Sequence, residues 1–73
     1  MFMLTNFEGT EIDVQKATKV IKNNQGEFER SNVNFLKFRF RKGMGWVNRL
    51  LDELESRGIV SSLGEDGKRK VIN

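Results

Sequence analysis

The chain has 73 residues, 32% of them charged, a formal net charge of +3, and 22 Leu, Ile, Val and Phe residues, which suffices for one small core and leaves no room for a second domain. It contains no Cys and no His, which excludes a disulfide framework, a thiolate zinc site and any catalytic arrangement built on a cysteine nucleophile or a histidine base. No apolar run approaches the ~18 residues of a membrane span and no secretory signal is present, so the inventory points to a cytosolic binding protein that is not an enzyme and needs no cofactor or metal.

Residues 1–9 read as an N-terminal arm, in which the Phe2 and Leu4 spacing fits a short strand or a segment laid on the body. Residues 10–73 read as a single domain. Thr10 or Asp13 caps a first helix, along which Val14, Ala17 and Ile21 form one apolar stripe and Lys16, Lys19 and Lys22 lie outside it. Asn23 to Gly26 end that helix, with Asn or Gly suited to a left-handed cap. Glu27 to Arg30 is a connector with one apolar residue, Phe28. Ser31 or Asn32 caps a second, shorter helix whose Val33, Leu36 and Phe40 face the core, with Phe35 and Phe38 to the sides. Gly43 is the expected breaker, because glycine adopts positive φ without strain.

A third helix runs from about Gly45 to Arg57, with Val47, Leu50, Leu51 and Leu54 at i, i+3, i+4 and i+7. Gly58 stands where a C′ glycine belongs. Trp46, Asn48, Arg49, Asp52, Glu53 and Ser56 occupy the opposite face. In the tail, Ile59 to Leu63 and Arg69 to Asn73 are strand candidates around Gly64-Glu65-Asp66-Gly67, whose Asp-Gly pair is strong turn chemistry. The order helix, helix, tight turn, helix, β-hairpin is that of a winged helix-turn-helix: a mostly α domain of three helices plus a wing. The helix-turn-helix would span about 31–57 and the wing about 59–73. In that geometry the helix after the turn enters the major groove with its N-terminal residues at base edges.

Charge follows the same division. Residues 1–29 hold three lysines against five acids, and residues 51–73 hold four cations against five acids. Residues 30–50 hold Arg30, Lys37, Arg39, Arg41, Lys42 and Arg49 with no acid. A basic block confined to the second helix, the turn and the reading helix is an electrostatic footprint for phosphates; a solvated face without a partner is the plain alternative.

The stretch VNFLKFRFRKGMGWVNRLLDELESRGIV, Val33 to Val60, resembles the C-terminal gamma domain of the bacterial DNA translocase FtsK. The resemblance rests on Leu36, Arg39, Phe40, Arg41 and Gly43, then Arg49, Leu50, Asp52, Leu54, Glu55, Arg57, Gly58, Ile59 and Val60, with Arg69 and Val71 matching the wing loosely. It covers about half the chain, and the Arg-Phe-Arg-x-Gly run is its most telling part. It implies a three-helix winged domain that reads a short polar DNA sequence and contacts the XerCD recombinase. This sequence departs from the family at the start of the reading helix, where Gly45-Trp46 replaces Asn-Arg, and in a longer loop around Gly26 to Arg30. It carries no GxxxxGK[ST] phosphate loop. If 73 residues is its natural length, the chain is expected to be a free-standing module of mobile-element type.

The expected base-edge residues are Arg49, which can pair bidentately with guanine, Asn48, and Gly45 and Trp46 at the leading positions. Against these stand an ion pair of Arg49 with Glu53 at i+4 and a merely exposed Asn48. Lys37, Arg39, Arg41 and Lys42, with Lys68, Arg69 and Lys70 on the wing, are the expected phosphate contacts on double-stranded DNA. Trp46 suits the core edge or a protein contact better than DNA. Gly43-Met44-Gly45 is no dinucleotide fingerprint, and the acid pairs Asp52/Glu53 and Glu65/Asp66 are solvated surface rather than a magnesium site. A second reading keeps the fold and binds a protein such as a recombinase through Phe38, Trp46 and the flanking Phe35, favoured by acids Asp52 and Glu53 on the reading face.

Overall fold

A computed structural model describes residues 9–72; the expected arm, apart from Gly9, lies outside the described residues. Four helices follow in order: α1 (Glu11–Asn23), α2 (Gln25–Arg30), α3 (Asn32–Phe40) and α4 (Met44–Ser56).

Thr10 starts α1 through a capping box. Its hydroxyl accepts the Asp13 N–H at 3.2 Å, and the Asp13 carboxylate accepts the Thr10 N–H at 3.0 Å. Two first-turn donors are thereby satisfied within the helix itself. The stripe of Val14, Ala17 and Ile21 is buried as its spacing requires. The end of α1 differs from expectation. Asn24 is not left-handed (φ −140°), and its side-chain amide donates to the Val20 carbonyl at 2.9 Å. The chain re-enters a helix at once, so the expected connector is α2 and Gly26 lies inside it. The cause is Phe28, fully buried with its ring edge-on to Phe35 at 5.7 Å. One aromatic anchor of this size outweighs the weak helix propensity of the surrounding residues.

In α3, Leu36 is fully buried, while Val33 and Phe40 are half-buried against the core. Phe35, expected to the side, is a core residue with 2% exposure; α2, absent from the expected arrangement, supplies the wall it packs on. The helix stops earlier than the glycine: Arg41 takes the left-handed conformation (φ 54°, ψ 45°), while Gly43 is the extended N-cap of α4. An L-residue with a Cβ holds the strained position here.

α4 buries Val47, Leu50, Leu51 and Leu54 against α1 and α3. Its C-terminus is a Schellman motif. The Gly58 N–H donates to the Glu55 carbonyl at 3.0 Å and the Ile59 N–H to the Leu54 carbonyl at 2.9 Å, with Gly58 at φ +75°.

The expected β-hairpin is not formed. Among the described residues the tail holds one isolated antiparallel bridge, Val60 with Val71. Gly64 to Gly67 do reverse the chain, with Gly67 at φ +75° and the Gly64 N–H bonded to the Lys68 carbonyl at 2.9 Å. The Ser61 N–H donates to the Lys70 carbonyl at 2.8 Å and the Ile72 N–H to the Ile59 carbonyl at 2.9 Å, and the ladder breaks beyond Ser61. Its carbonyl accepts from Arg69 Nη1 at 3.2 Å, and the Lys70 N–H goes to the Ser61 hydroxyl instead, at 2.9 Å. On the other edge of the tail, the N–H groups of Arg69 and Val71 are taken by the side chains of Asn32 and Glu29, at 2.7 and 2.9 Å. The tail is therefore paired across itself only around Val60 and Val71, and side chains sew it to α2 and α3.

Candidate nucleic-acid interface

The turn Arg41–Gly43 sets the start of α4 beside the end of α3. Phe40 and Trp46 flank this turn and pack on each other, with ring centroids 5.5 Å apart. Lys42 Nζ lies 5.4 Å from the centre of the Trp46 ring. Trp46 is half-buried against the core, at the edge position that sequence reasoning preferred. Its contribution is to fix the turn from which α4 departs.

The first turns of α3 and α4 share an unusual condition. Neither N-cap, Ser31 or Gly43, bonds the helix through its side chain, and neither first turn holds an acid. Each start carries the positive end of its helix dipole without a side-chain cap to offset it. Around these ends lie Arg30, Lys37, Arg41, Lys42 and Arg49, all without an ion-pair partner among the described residues. Arg49 does not pair with Glu53. A Cβ placed on Gly45 would lie 3.7 Å from Arg49 Nη1, so the guanidinium folds back over the first turn of α4. The expected base-edge set of Gly45, Asn48 and Arg49 is exposed.

Asn48 also lines a groove of about 450 Å³ between the start of α3, α4 and the tail. Arg30, Ser31 and Asn34 form its α3 side, and Lys68 its tail side. Exposed Met44 and Leu63 supply the apolar part of its wall. Neither Asn34 nor this groove is marked in the sequence, because a groove built from separated segments has no signal in local spacing.

Two expected phosphate contacts are differently employed. Arg69 is only 7% exposed. Its guanidinium meets Glu55 at 2.6 Å and Asp52 at 3.1 Å, and its backbone is clasped by Asn32, which accepts from its N–H at 2.7 Å and donates to its carbonyl at 3.2 Å. Burial of this side chain against two acids of α4 removes it from the surface. Arg39 keeps a partly exposed guanidinium, but it stacks 3.8 Å from the centre of the Phe35 ring and reaches Glu27 at 3.5 Å. Lys37 is half-buried, whereas Arg41, Lys42, Lys68 and Lys70 are exposed.

The acids of α4 are likewise spoken for. Glu53, expected on the outer face, is 6% exposed and accepts from Arg57 Nε at 2.7 Å. Arg57 also grips Glu11 through two bonds of 2.8 Å. The Arg57 guanidinium holds the Glu11 carboxyl below its ordinary value, and the hydrogen bonds it donates to Glu11 and then Glu53 push Arg57 further up. The negative charge of Asp52, Glu53 and Glu55 is thus partly offset locally by Arg69 and Arg57.

Phe38 stands out of α3 with 80% exposure. No helix among the described residues is long and apolar enough to cross a membrane. No protein family, no curated protein and no solved structure matches the chain.

Proposed function

We propose that the chain is a duplex-DNA-binding module of the winged-helix kind, similar in role to an FtsK gamma domain and acting as a small regulator or an accessory factor in recombination or segregation. In this reading α3, the Arg41–Gly43 turn and α4 are the helix-turn-helix, and the tail from Ile59 is a reduced wing. Arg49 and Asn48 read base edges, with Gly45 letting the start of α4 approach closely. Arg41, Lys42, Lys37, Lys68 and Lys70 hold phosphates, as do the open N–H groups at the starts of α3 and α4.

One observation carries this reading. Each acid of α4 is bonded to Arg57 or Arg69, which offsets part of its charge, while Arg41, Lys42 and Arg49 have no ion-pair partner among the described residues. Acids on the reading helix would otherwise argue against a polyanionic partner. A protein-binding role is favoured by Phe38 alone, whose exposed ring among basic neighbours suits an acidic protein such as a recombinase.

Amide spectra with and without duplex DNA at low salt separate the two. The DNA reading expects shifts at Arg41–Gly43, at Gly45 to Arg49 and at Lys68. Arg49→Ala should reduce discrimination among sequences drawn from a random pool, and Arg41→Ala should weaken all duplexes alike. Spectra unchanged by DNA would remove the reading, and shifts confined to Phe38 and its neighbours on adding a recombinase would establish the other.

A further inference from the structure

The lysines of α1 belong to a segment that is net acidic in sequence, yet the fold delivers two of them to the basic block. Lys16 and Lys19, one helical turn apart, border a notch of about 390 Å³ against the end of α3. Arg39 and Lys42 close its far side, and Phe40 and Val20 contribute apolar wall. None of the three lysines has an ion-pair partner among the described residues. Arg39 shares its charge with Glu27 at 3.5 Å. The single acid at the notch, Asp13, is turned to the capping box of Thr10.

Like charges at i and i+3 repel, and bringing Lys42 from a distant turn adds to the repulsion. A dianionic or phosphodiester group seated among Lys16, Lys19 and Lys42 would relieve it, with the apolar wall accepting the adjoining sugar. Lys42 also sits over Trp46, at the turn that opens α4, so the notch is continuous with the candidate interface. We infer that this notch is a phosphodiester-binding site, through which α1 holds a backbone phosphate of the same duplex outside the segment read by α4. This rests on the DNA-binding reading and enlarges its footprint to a helix that sequence charge assigned to the acidic end of the chain.

The test is the salt dependence of duplex affinity for the double variant Lys16→Gln/Lys19→Gln, with Lys22→Gln as a control on the same helix. Glutamine matches lysine in helix propensity, so the fold should survive, and melting monitored by circular dichroism verifies it. Each lost phosphate contact lowers the slope of log K against log salt by about 0.9. The double variant removes the one phosphate contact and should therefore lower the magnitude of the slope by about 0.9, so that its loss of affinity between 50 and 200 mM salt is roughly threefold smaller than that of the parent chain. Sequence preference should be unchanged. An unchanged slope, or an equal effect per residue from Lys22→Gln, would overturn the notch while leaving the interface on α3 and α4 standing. Failure of the parent chain to bind any duplex would remove both.

Discussion

The two halves of α4 are chemically opposite. From Met44 to Arg49 there is no acid, the N-cap offers no side-chain bond, and the one cation has no ion-pair partner among the described residues. From Asp52 to Ser56 come three acids, each bonded to an arginine that comes from the helix end or the tail. The first half is left open to an external anion; the second spends its charge on holding the molecule together. A domain of this size has few apolar contacts to spare, and concentrating structural ion pairs at one end of a helix frees the other end for binding.

The structural half is broken most severely at Arg69. Arg69→Ala removes a buried guanidinium from Asp52, Glu55 and the Ser61 carbonyl, and it should destabilise the domain by roughly 2–3 kcal/mol. Urea unfolding reads this as a lower midpoint. The cost stays below that of a wholly buried pair because Asp52 and Glu55 retain access to water, with 59% and 42% of their side chains exposed. DNA affinity of the folded fraction should fall as well, since Asp52 and Glu55 on α4 lose their counter-charge.

The two left-handed residues that end helices should respond in opposite senses. Gly58→Ala places a Cβ at φ +75° and should lower stability by about 1–2 kcal/mol. Arg41→Gly relieves the same strain at φ 54° and should raise stability by roughly 0.5–1 kcal/mol while weakening duplex binding. Thermal melts read the first effect and a duplex titration the second. A variant that becomes more stable and binds less cannot be explained by unfolding.

The helix starts offer a milder contrast. Thr10→Ala dismantles a complete capping box and should cost about 1 kcal/mol. Ser31→Ala removes a hydroxyl that makes no cap bond, and its effect on melting should be no more than a few tenths of that. A Ser31→Ala as costly as Thr10→Ala would mean that the Ser31 hydroxyl caps α3 after all.

Much of this was legible in local spacing, because local spacing is what formed it. The α4 stripe, the Gly58 stop and the Thr10–Asp13 cap are each settled by residues within one or two turns. What sequence could not supply depends on residues far apart. Phe28 makes α2 only because Phe35 faces it, and Phe35 becomes core only because α2 exists. The tail carries good hairpin chemistry at Gly64–Gly67, yet Arg69 turns inward to Asp52 and Glu55, takes the Ser61 carbonyl and breaks the ladder. At the candidate interface, Gly45, Asn48 and Arg49 are exposed as their helix positions require. Pairing of Glu53 with Arg57 rather than Arg49 was open in sequence, since both lie at i±4. The approach of Lys16 and Lys19 to Lys42 has no local signal at all.

The smallest expected effect lies in pH. Arg57 depresses the Glu11 carboxyl, so its contribution to stability is complete above the ordinary carboxylate value and is lost as pH falls through the lower folded value. Stability of the parent chain relative to Glu11→Gln should therefore shrink on acidification below about pH 4.5 and be constant at neutral pH, as measured by urea midpoints across that range.

The central claim is that the cations around the turn and the first half of α4 are held unpaired for phosphates. Its most direct test is the affinity of the chain for a mixed-sequence duplex as a function of salt. Five phosphate contacts by Lys37, Arg41, Lys42, Lys68 and Lys70 predict a slope of log K against log salt of about −4.5. A slope near zero, or no binding at low salt, would contradict it.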